Sequence, residues 1–356
     1  MNTVLVTGGA GFIGCNFVRL LLEKEPNTQV IVFDALTYAG SLENLKDIAK
    51  DIIFIKGNIN NRQDLKRAFV LKPDTIVHFA AETHVDRSIL FPSHFVKTNV
   101  SGTLNLLMAS LKSGVSRFHH ISTDEVYGSL TDGDLPVWED FPYKPNSPYS
   151  ATKAASDHLV RAFGNTYGLP YTISNSSNNY GPYQFPEKLV PMAINCFLHN
   201  IPLPIYGNGK HIRDWIYVKD NCEGILTVLK DGKIGECYNI GANKEYTALQ
   251  IANMIAAIMA KMLSIPVETY YDCIQMVQDR PGNDYRYALD TNKIHQLGWN
   301  TFSSTYSTLC HTVDWYLNHQ DWLETIRNSK PYQAWLKKNY FNRIKTLGIY
   351  KPLGVK

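Results

Sequence analysis

The chain contains 356 residues, of which 44% are hydrophobic and 19% are charged, and its formal net charge is +3. This length allows one large domain or two modest ones, and the hydrophobic content supports a packed core. The small net charge argues against nucleic acid or a membrane surface as the main partner. The chain also contains no run of about 18 hydrophobic residues. We therefore expect a soluble protein that acts on small molecules.

The N-terminal residues MNTVLVTGG read as a strand rather than as a signal peptide, which predicts a cytoplasmic protein. The cysteines form no C-x-x-C pair, so we expect reduced thiols and neither a disulfide framework nor a zinc site. The adjacent His119 and His120 point to opposite faces of a strand, and we interpret them as structural or surface residues. No metal is expected. The six cysteines are Cys15, Cys196, Cys222, Cys237, Cys273 and Cys310.

Strand-like and helix-like segments alternate along the first part of the chain. This alternation predicts an α/β fold of the Rossmann type, with a doubly wound parallel sheet. The strand-like segments are TVLVT, QVIVFDA, IIFIKGN, DTIVHFAA and RFHHISTDE. The helix-like segments between them include FIGCNFVRLLLEKE, RQDLKRAFVLK and VSGTLNLLMASLKSG.

The composition changes after about residue 175, where Pro, Gly, Asn and aromatic residues become frequent. We expect a Rossmann domain over residues 1–175, with returning segments near 212–242, and a smaller C-terminal lobe over 176–211 and 243–320. Residues 321–356 form a basic extension, because the last 30 residues contain eight Lys or Arg. A nucleic-acid-binding tail is the alternative to a partly packed extension with solvated lysines.

The sequence GGAGFIG places Gly8, Gly9, Gly11 and Gly14 between a predicted strand and a predicted helix. Such glycines let the backbone turn tightly and approach a pyrophosphate, whose charge the helix N-terminus stabilises. Asp34 follows Gly14 by 20 residues, where a carboxylate can accept hydrogen bonds from an adenosine ribose. The pattern predicts NAD rather than NADP, because the carboxylate would repel a 2′-phosphate. The alternative is that Asp34 only caps a helix.

Tyr149 and Lys153 are four residues apart and share one face of a predicted helix that follows Pro148. A nearby ammonium group and the positive nicotinamide would favour the tyrosine phenolate, which can accept a hydroxyl proton as hydride leaves the same carbon. Such a pair is common on any helix, but the glycine loop upstream favours a catalytic role for it here.

Several motifs together resemble the extended short-chain dehydrogenase/reductase family, and within it the nucleotide-sugar 4,6-dehydratases that act on dTDP-glucose. The motifs are TGGAGFIG, HFAAETHVDRS, STDEVYG, YSATKA, SNNYGPYQFPEKLVP, LPIYGNGKHIRDWIYVKD and DRPGNDYRYALD. The likeness spans about residues 1 to 300, and STDEVYG with its acid pair is its most specific motif. The resemblance implies a nucleotide-sugar lobe beside the Rossmann domain, tightly held NAD, a homodimer built through two helices per subunit, and a role in deoxysugar biosynthesis such as that of rhamnose.

The acid pair implies a defined reaction. Oxidation at sugar C4 acidifies the C5 proton, so elimination of the C6 hydroxyl needs a base at C5 and an acid at C6. The resemblance assigns Glu125 as the base, Asp124 as the acid and Thr123 as a hydrogen-bond partner of the C4 oxygen, beside Tyr149 and Lys153. Asp124 must then stay protonated, and the backbone must leave the strand near Thr123. The alternative is a helix N-terminus that carries two acids for its dipole.

The resemblance also implies two sets of contacts. Two residues depart from the family pattern: Asn58 stands where Asp is usual, and Asn283 stands where His is usual, so the adenine and phosphate contacts there are open to change. The implied cofactor contacts, beside Tyr149 and Lys153, are Gly8, Gly11, Phe12, Ile13, Gly14, Asp34, Leu36, Thr37, Asn58, Ile59, Phe79, Ala80, Ala81, Thr83, Thr98 and Asn178. The implied substrate contacts, beside Thr123, Asp124 and Glu125, are Thr83, Asn179, Glu187, Lys188, Leu189, Pro204, Tyr206, Arg213, Asn243, Arg280 and Asn283.

Three other functions stay open at this stage. A dehydratase of UDP-glucose or of another nucleotide sugar would need the same catalytic residues, because thymine and uracil share a hydrogen-bonding edge. A nucleotide-sugar 4-epimerase would have no use for the acid pair. A non-catalytic NAD-binding protein would not need the Tyr149 and Lys153 pair.

Overall fold

The structure is a computed structural model that describes residues 1–301 and 303–341. Its strands are short runs rich in Val, Ile and aromatic residues, as β-propensity predicts. They are β1 Thr3–Thr7, β2 Gln29–Asp34, β3 Ile52–Lys56, β4 Thr75–His78, β5 Arg117–Thr123, β6 Tyr171–Ser176, β7 Asn178–Tyr180, β8 Leu203–Tyr206, β9 Ile212–Tyr217, β10 Cys237–Ile240, β11 Glu245–Thr247 and β12 Ile274–Val277.

Helices separate most of these strands. The α-helices are α1 Phe12–Lys24, α2 Arg62–Phe69, α3 Val85–Leu90, α4 Pro92–Phe95, α5 Thr103–Ser113, α6 Pro148–Tyr167, α7 Leu189–Leu198, α8 Val218–Asp231, α9 Ala248–Leu263, α10 Glu268–Tyr271, α11 Asn292–His295, α12 Thr305–Asn318, α13 Gln320–Arg327 and α14 Lys330–Leu336. Two 3₁₀-helices span Leu42–Ile48 and Asp124–Tyr127, and two π-helical segments span Val96–Gly102 and Lys337–Phe341.

Within the described residues, seven parallel strands form the central sheet in the order β3-β2-β1-β4-β5-β6-β10. Strand β1 lies between β2 and β4, and Val4 pairs with both Val30 and Thr75. The strand order therefore reverses next to β1, and ligands of doubly wound sheets bind at the carboxyl ends of the strands at such a point. This architecture confirms the predicted Rossmann-type α/β fold.

Alternate side chains of the strands enter two different cores, because successive strand residues point to opposite faces. Val4 and Val6 pack with α1 and α8 on one face of the sheet. Leu5 and Ile31 pack on the other face with residues of α2, α5 and α6. Both faces are therefore covered by helices, which explains why the strands are hydrophobic throughout.

The C-terminal lobe contains a three-stranded sheet, β11-β9-β7, and a two-stranded sheet, β12-β8. Helices α7, α9 and α12 bury a core of their own that includes Ile194, Ile255 and Val313. Of the segment predicted to return to the Rossmann domain, α8 packs on α1 and β10 joins the central sheet. Strand β9 of that segment does not join the central sheet, since it pairs with β7 and β11 in the lobe.

The described part of the C-terminal extension packs back onto the body of the protein. The indole N–H of Trp322 donates to Asn44 Oδ1 at 2.8 Å, and the Tyr332 hydroxyl donates to the Pro186 carbonyl at 2.8 Å. Trp335 is buried. The remaining part of the predicted basic extension, 342–356, lies outside the described residues. Among the helices that the structure describes, none is both long enough and apolar enough to span a bilayer.

Candidate active site

Most of the predicted site residues line one cavity at the carboxyl ends of the central strands, beside the C-terminal lobe. The predicted residues that line it are Gly8, Gly11, Phe12, Ile13, Gly14, Asp34, Thr37, Asn58, Ile59, Phe79, Ala80, Ala81, Thr83, Thr98, Thr123, Asp124, Glu125, Tyr149, Lys153, Asn178, Asn179, Glu187, Lys188 and Leu189. Leu36, Pro204, Tyr206, Arg213, Asn243, Arg280 and Asn283 are not part of its lining. The lining also includes residues that were not predicted, among them Tyr38, Glu82, Gln184, Phe185 and Trp215.

The loop between β1 and α1 and the first turn of α1 each require a glycine. Gly8 has a φ of 72°, and a Cβ there would lie 2.6 Å from the Ala80 backbone nitrogen. A Cβ at Gly14 would collide with the Gly8 carbonyl oxygen. Gly11, the N-cap of α1, offers no side-chain cap, so the N–H groups of the first helical turn are available to an anion. These observations fit the pyrophosphate of a dinucleotide.

Asp34 ends β2 and is almost fully buried. Its Oδ2 accepts a hydrogen bond from the Ala10 backbone at 3.0 Å, and its Oδ1 accepts one from the Leu36 backbone at 2.8 Å. Burial raises its pKa, whereas these two hydrogen bonds lower it. The 3₁₀-helix that follows is capped by Ser41, so Asp34 is not a helix cap. The carboxylate fixes the glycine loop and still faces the cavity, which fits a ribose-binding group.

The acid pair lies where β5 ends and the 3₁₀-helix Asp124–Tyr127 begins. The backbone therefore leaves the strand at Thr123, as predicted. The Thr123 hydroxyl oxygen accepts from the Glu125 backbone N–H at 3.3 Å, and the hydroxyl donates to Asp124 Oδ1 at 3.2 Å. Both acids line the cavity, although each also occupies the first turn of a short helix.

The two carboxyl groups differ in their electrostatic surroundings. Burial, followed by the neighbouring Glu125, raises the pKa of Asp124 well above its usual value. Burial also raises the pKa of Glu125, but the positive charges of Arg280, Lys188 and Arg213 oppose this effect. Asp124 is therefore the better proton donor and Glu125 the better candidate for an ionised base. A pair that served only the helix dipole would need both groups ionised.

Tyr149 and Lys153 lie on α6, whose start is fixed by a capping box between Ser147 and Ser150. Burial, and then the Glu125 carboxyl, raise the pKa of Tyr149 well above its usual value. The phenolate therefore needs a compensating positive charge, such as that of an oxidised nicotinamide.

Lys153 is held by two residues of β5. Its Nζ donates to the Ile121 carbonyl at 2.7 Å and lies 3.2 Å from His120 Nε2. Burial lowers the pKa of Lys153 to about 8, and the carboxylate of Asp157 opposes this decrease. His120 Nε2 lies 3.2 Å from Asp157 Oδ1. Asp157 also accepts a hydrogen bond from Ser122 Oγ at 2.6 Å.

This group of residues behind Lys153 was not predicted from the sequence. His119 and His120 are both fully buried, so the surface interpretation of the pair is wrong. His119 bonds to Thr172 and is structural, whereas His120 contacts Lys153. Asp157 follows Lys153 by four residues on the same helix, and this spacing was the available signal.

The two predicted arginines lie near the acid pair without lining the cavity. The Arg213 guanidinium donates to Asn283 Oδ1 at 3.2 Å, so Asn283 is held beside it. Arg213, Arg280 and Lys188 all lower the pKa of Glu125, which places three positive charges around one carboxyl group. Such a cluster can bind phosphate oxygens.

The remaining predicted substrate residues lie in the lobe, outside the cavity lining. The Tyr206 hydroxyl donates to Asp86 Oδ2 at 3.0 Å, and Pro204 is part of β8. Asn243 has a φ of 54°, and its side-chain amide donates to Thr291 Oγ1 at 2.8 Å. Their proposed contacts with a substrate remain predictions. Among the residues that the structure describes, no cluster of His, Cys, Asp and Glu could hold a metal ion.

The parallel sheet, the glycine loop and the Tyr149 and Lys153 pair in one cavity define a dinucleotide-binding protein of the short-chain dehydrogenase/reductase class. More particularly, the chain belongs to the GDP-mannose 4,6 dehydratase family, because the model of that family matches residues 5–311.

Curated relatives are similar to the chain over most of its length. The dTDP-glucose 4,6-dehydratase of Neisseria meningitidis serogroup B is 46% identical over 344 residues, which are 92% of this chain and 97% of that protein. The dTDP-glucose 4,6-dehydratase 1 of Escherichia coli K12 is 45% identical over 362 residues, covering 96% and 99% of the two chains.

Two solved structures superpose on most of the chain. DesIV, a dTDP-glucose 4,6-dehydratase from Streptomyces venezuelae with NAD and TYD bound, is 43% identical and superposes with a TM-score of 0.85 over 91% of this chain and 99% of its own. The UDP-glucose 4-epimerase of Thermus thermophilus in complex with NAD is 30% identical, with a TM-score of 0.81 over 89% and 99%.

Proposed function

We propose that the chain is an NAD-dependent dTDP-glucose 4,6-dehydratase, a hydro-lyase that converts dTDP-glucose to dTDP-4-keto-6-deoxyglucose. One observation carries this proposal. Asp124 and Glu125 line the same cavity as Tyr149 and Lys153, and burial raises the pKa of both carboxyl groups, whereas three positive charges oppose this increase at Glu125. The names of the curated relatives support the substrate, and the NAD complexes of the solved structures support the cofactor.

The cofactor would occupy the part of the cavity next to the central sheet. The N-terminus of α1 would hold the pyrophosphate, Asp34 would accept hydrogen bonds from the adenosine ribose, and Asn58 and Ile59 would lie near the adenine. Asn58 accepts a hydrogen bond from the Asn60 backbone, so this residue also fixes its own loop. Bound NAD would supply the hydride acceptor for C4 and later the hydride donor for C6.

The residues of the chain would handle the protons. Tyr149 accepts the proton of the C4 hydroxyl, while Thr123 hydrogen-bonds the C4 oxygen and the Lys153 ammonium favours the phenolate. Glu125 removes the C5 proton, which the C4 carbonyl has made acidic. Asp124 gives a proton to the leaving C6 hydroxyl, and water departs. Glu125 then returns its proton to C5.

The nucleotide-sugar diphosphate would bind among positive groups on the lobe side. Lys188 lines the cavity and donates to the Thr83 carbonyl at 3.1 Å. Arg213 and Arg280 lie close enough to lower the pKa of Glu125. A diphosphate among these groups would leave the sugar beside the acid pair, with Asn179 and Leu189 as further contacts.

We also propose that the protein is a cytoplasmic homodimer. Helix α5 packs against α6, and the side chains of Val96, Leu104, Met108 and Tyr167 on or beside these helices are exposed. A second copy of the chain would cover these side chains. Sedimentation velocity should give a dimer for the natural chain and a monomer for Met108→Glu, and a monomeric natural chain would rule out this assembly.

A panel of nucleotide sugars tests the proposed function. Purified protein with NAD is incubated separately with dTDP-glucose, UDP-glucose and GDP-mannose, and the products are analysed by mass spectrometry. We expect loss of one water from dTDP-glucose, at a higher rate than from the others. A product of unchanged mass would indicate a 4-epimerase, and no reaction with any sugar would indicate a binding protein. Faster dehydration of UDP-glucose would show that the preferred substrate carries UDP rather than dTDP.

A further inference from the structure

Two aromatic side chains join the two sides of the cavity wall. Tyr38 lies in the loop after β2, on the side of the central sheet, and Phe185 lies in the loop between β7 and α7, on the side of the lobe. Both residues line the cavity. Their ring centres are 5.4 Å apart and their planes are inclined by 86°, which is the edge-to-face arrangement that aromatic pairs prefer. The two loops therefore cannot separate without breaking this contact.

Arg87, on α3, contacts both of these loops. Its guanidinium carbon lies 3.8 Å from the ring centre of Tyr38, as in a cation–π pair. Its Nε donates to Glu187 Oε2 at 3.1 Å, and Glu187 follows Phe185 by two residues. The side-chain exposures in this ion pair are 19% and 2%, so solvent screens it little. Arg87 itself is not part of the cavity lining, so its effect on a ligand must pass through Tyr38 and Glu187.

Helix α14 supports these residues from outside the cavity. The Trp335 ring centre lies 4.1 Å from the Arg87 guanidinium carbon. The Tyr332 ring centre lies 5.6 Å from that of Phe185, again in an edge-to-face arrangement. Tyr332 and Trp335 are both buried, and neither lines the cavity. Arg87 and Phe185 therefore each contact the ring of Tyr38 on one side and a ring of α14 on the other.

A wall fastened in this way has a use in the proposed reaction. The hydride that is removed from C4 is returned to C6, so one cofactor molecule serves successive turnovers. Dissociation of the reduced cofactor between the two transfers would leave a 4-keto sugar that could not be completed. Tyr38 follows Asp34 by four residues, and the loop between them is tied to the Asp34 carboxylate through the Leu36 backbone. The contact between Tyr38 and Phe185 therefore lies beside the proposed ribose site.

We propose that Tyr38 and Phe185 form a latch, fastened by Arg87, that retains the dinucleotide in the cavity from one turnover to the next. The proposal rests on the proposed function for the identity of the dinucleotide. Opening the latch breaks the contact between the two rings and releases the cofactor loop from the lobe, so loss of NAD requires an open latch. Arg87 is a positioning residue, because it holds the Tyr38 ring and the Glu187 carboxylate in place.

The test is a double-mutant cycle on the rate of NAD dissociation. The natural chain, Tyr38→Leu, Phe185→Leu and the double variant are each loaded with radiolabelled NAD and diluted into excess unlabelled NAD. The label that stays with the protein is measured over time by filtration. The matched control is Tyr271→Leu, which removes an exposed tyrosine on α10 outside the cavity lining. Thermal unfolding verifies that each variant is folded.

Tyr38→Leu and Phe185→Leu should each accelerate NAD loss by about two- to tenfold, which corresponds to the contribution of one edge-to-face contact. The double variant should be no faster than the faster single variant, because both changes remove the same contact. Tyr38→Phe keeps the ring and should keep the natural rate, as should the control. Arg87→Lys keeps the positive charge beside Glu187 but loses the planar group that stacks on Tyr38, so it should accelerate NAD loss.

Two results would overturn the latch. If the effects of the two single changes multiply in the double variant, the two rings act independently. If Phe185→Leu keeps the natural rate, Tyr38 acts through a direct contact with the cofactor rather than through the opposite loop. A natural rate in Arg87→Lys would remove Arg87 from the latch. Failure of the proposed function is distinguishable, because the natural chain would then release no water from dTDP-glucose while its NAD dissociation rates still followed the cycle.

Discussion

The role of Glu125 as the C5 base is tested by Glu125→Gln. This change keeps the size of a half-buried side chain and removes its negative charge, while Tyr149, Lys153 and Thr123 stay in place for the oxidation step. We therefore expect C4 oxidation to proceed and elimination to stall, with reduced cofactor and an unreleased 4-keto sugar on the enzyme.

The magnitude follows from the surroundings of the carboxyl group. Burial raises the pKa of Glu125 against three positive charges, so the ionised group is a stronger base than an exposed glutamate. General-base catalysis typically contributes about 10²- to 10⁴-fold, and its loss raises the barrier by about 3–5 kcal/mol. Loss of the Glu125 charge leaves the positive charges of Arg280 and Lys188 free to attract the substrate diphosphate. We therefore expect that the affinity for the substrate does not decrease.

Stopped-flow absorbance of the reduced cofactor and chemical quench measure the two steps separately. In deuterated water the natural enzyme should place deuterium at C5 of the product, and the variant should slow this exchange in proportion to turnover. The matched control is Glu139→Gln, a buried glutamate outside the cavity lining that accepts from the Asn239 backbone and should keep near-normal turnover. Dehydration at the natural rate in Glu125→Gln, or a folded variant that forms no reduced cofactor, would refute the assignment.

Other outcomes follow from the same site. NAD should bind more tightly than NADP, because the Asp34 carboxylate repels a 2′-phosphate, and equal affinities in a fluorescence titration would contradict this. Tyr149→Phe should abolish the transient absorbance of reduced cofactor, and normal absorbance would remove Tyr149 from the base role. The Lys153 ammonium is lost as pH rises through its pKa of about 8, which the Asp157 carboxylate helps to keep high. Asp157→Asn should therefore move the alkaline limb of kcat/KM to lower pH, whereas a purely structural role would leave that limb in place.

Local sequence patterns were sufficient to predict the central fold and the cofactor loop, whereas most of the other cavity residues were predicted only through the resemblance to a known family. The glycine loop, Asp34 and the pair on α6 are each specified by residues close in sequence, so their local geometry follows from turn chemistry and helical spacing. The departure of the backbone from β5 at Thr123 was likewise predictable, because two acids can reach one sugar only if the strand ends there.

Contacts between distant segments could not be predicted in the same way. The contact of His120 with Lys153 depends on the packing of α6 against β5, and strand periodicity says only which face a histidine occupies. The pairing of β9 with β7 and β11, rather than with the central sheet, is a tertiary choice for a strand of ordinary composition. The hydrogen bond between Arg213 and Asn283 joins residues 70 positions apart.

The C-terminal helices have a consequence for the synthesis of this protein. The Arg87 guanidinium carbon lies 3.8 Å from the ring centre of Tyr38 and 4.1 Å from that of Trp335. Trp335, on α14, therefore contacts Arg87, which in turn packs on the Tyr38 ring that lines the cavity. Tyr38 is translated early and Trp335 late. A ribosome-bound chain that has already formed its glycine loop therefore lacks this contact until α14 has left the exit tunnel.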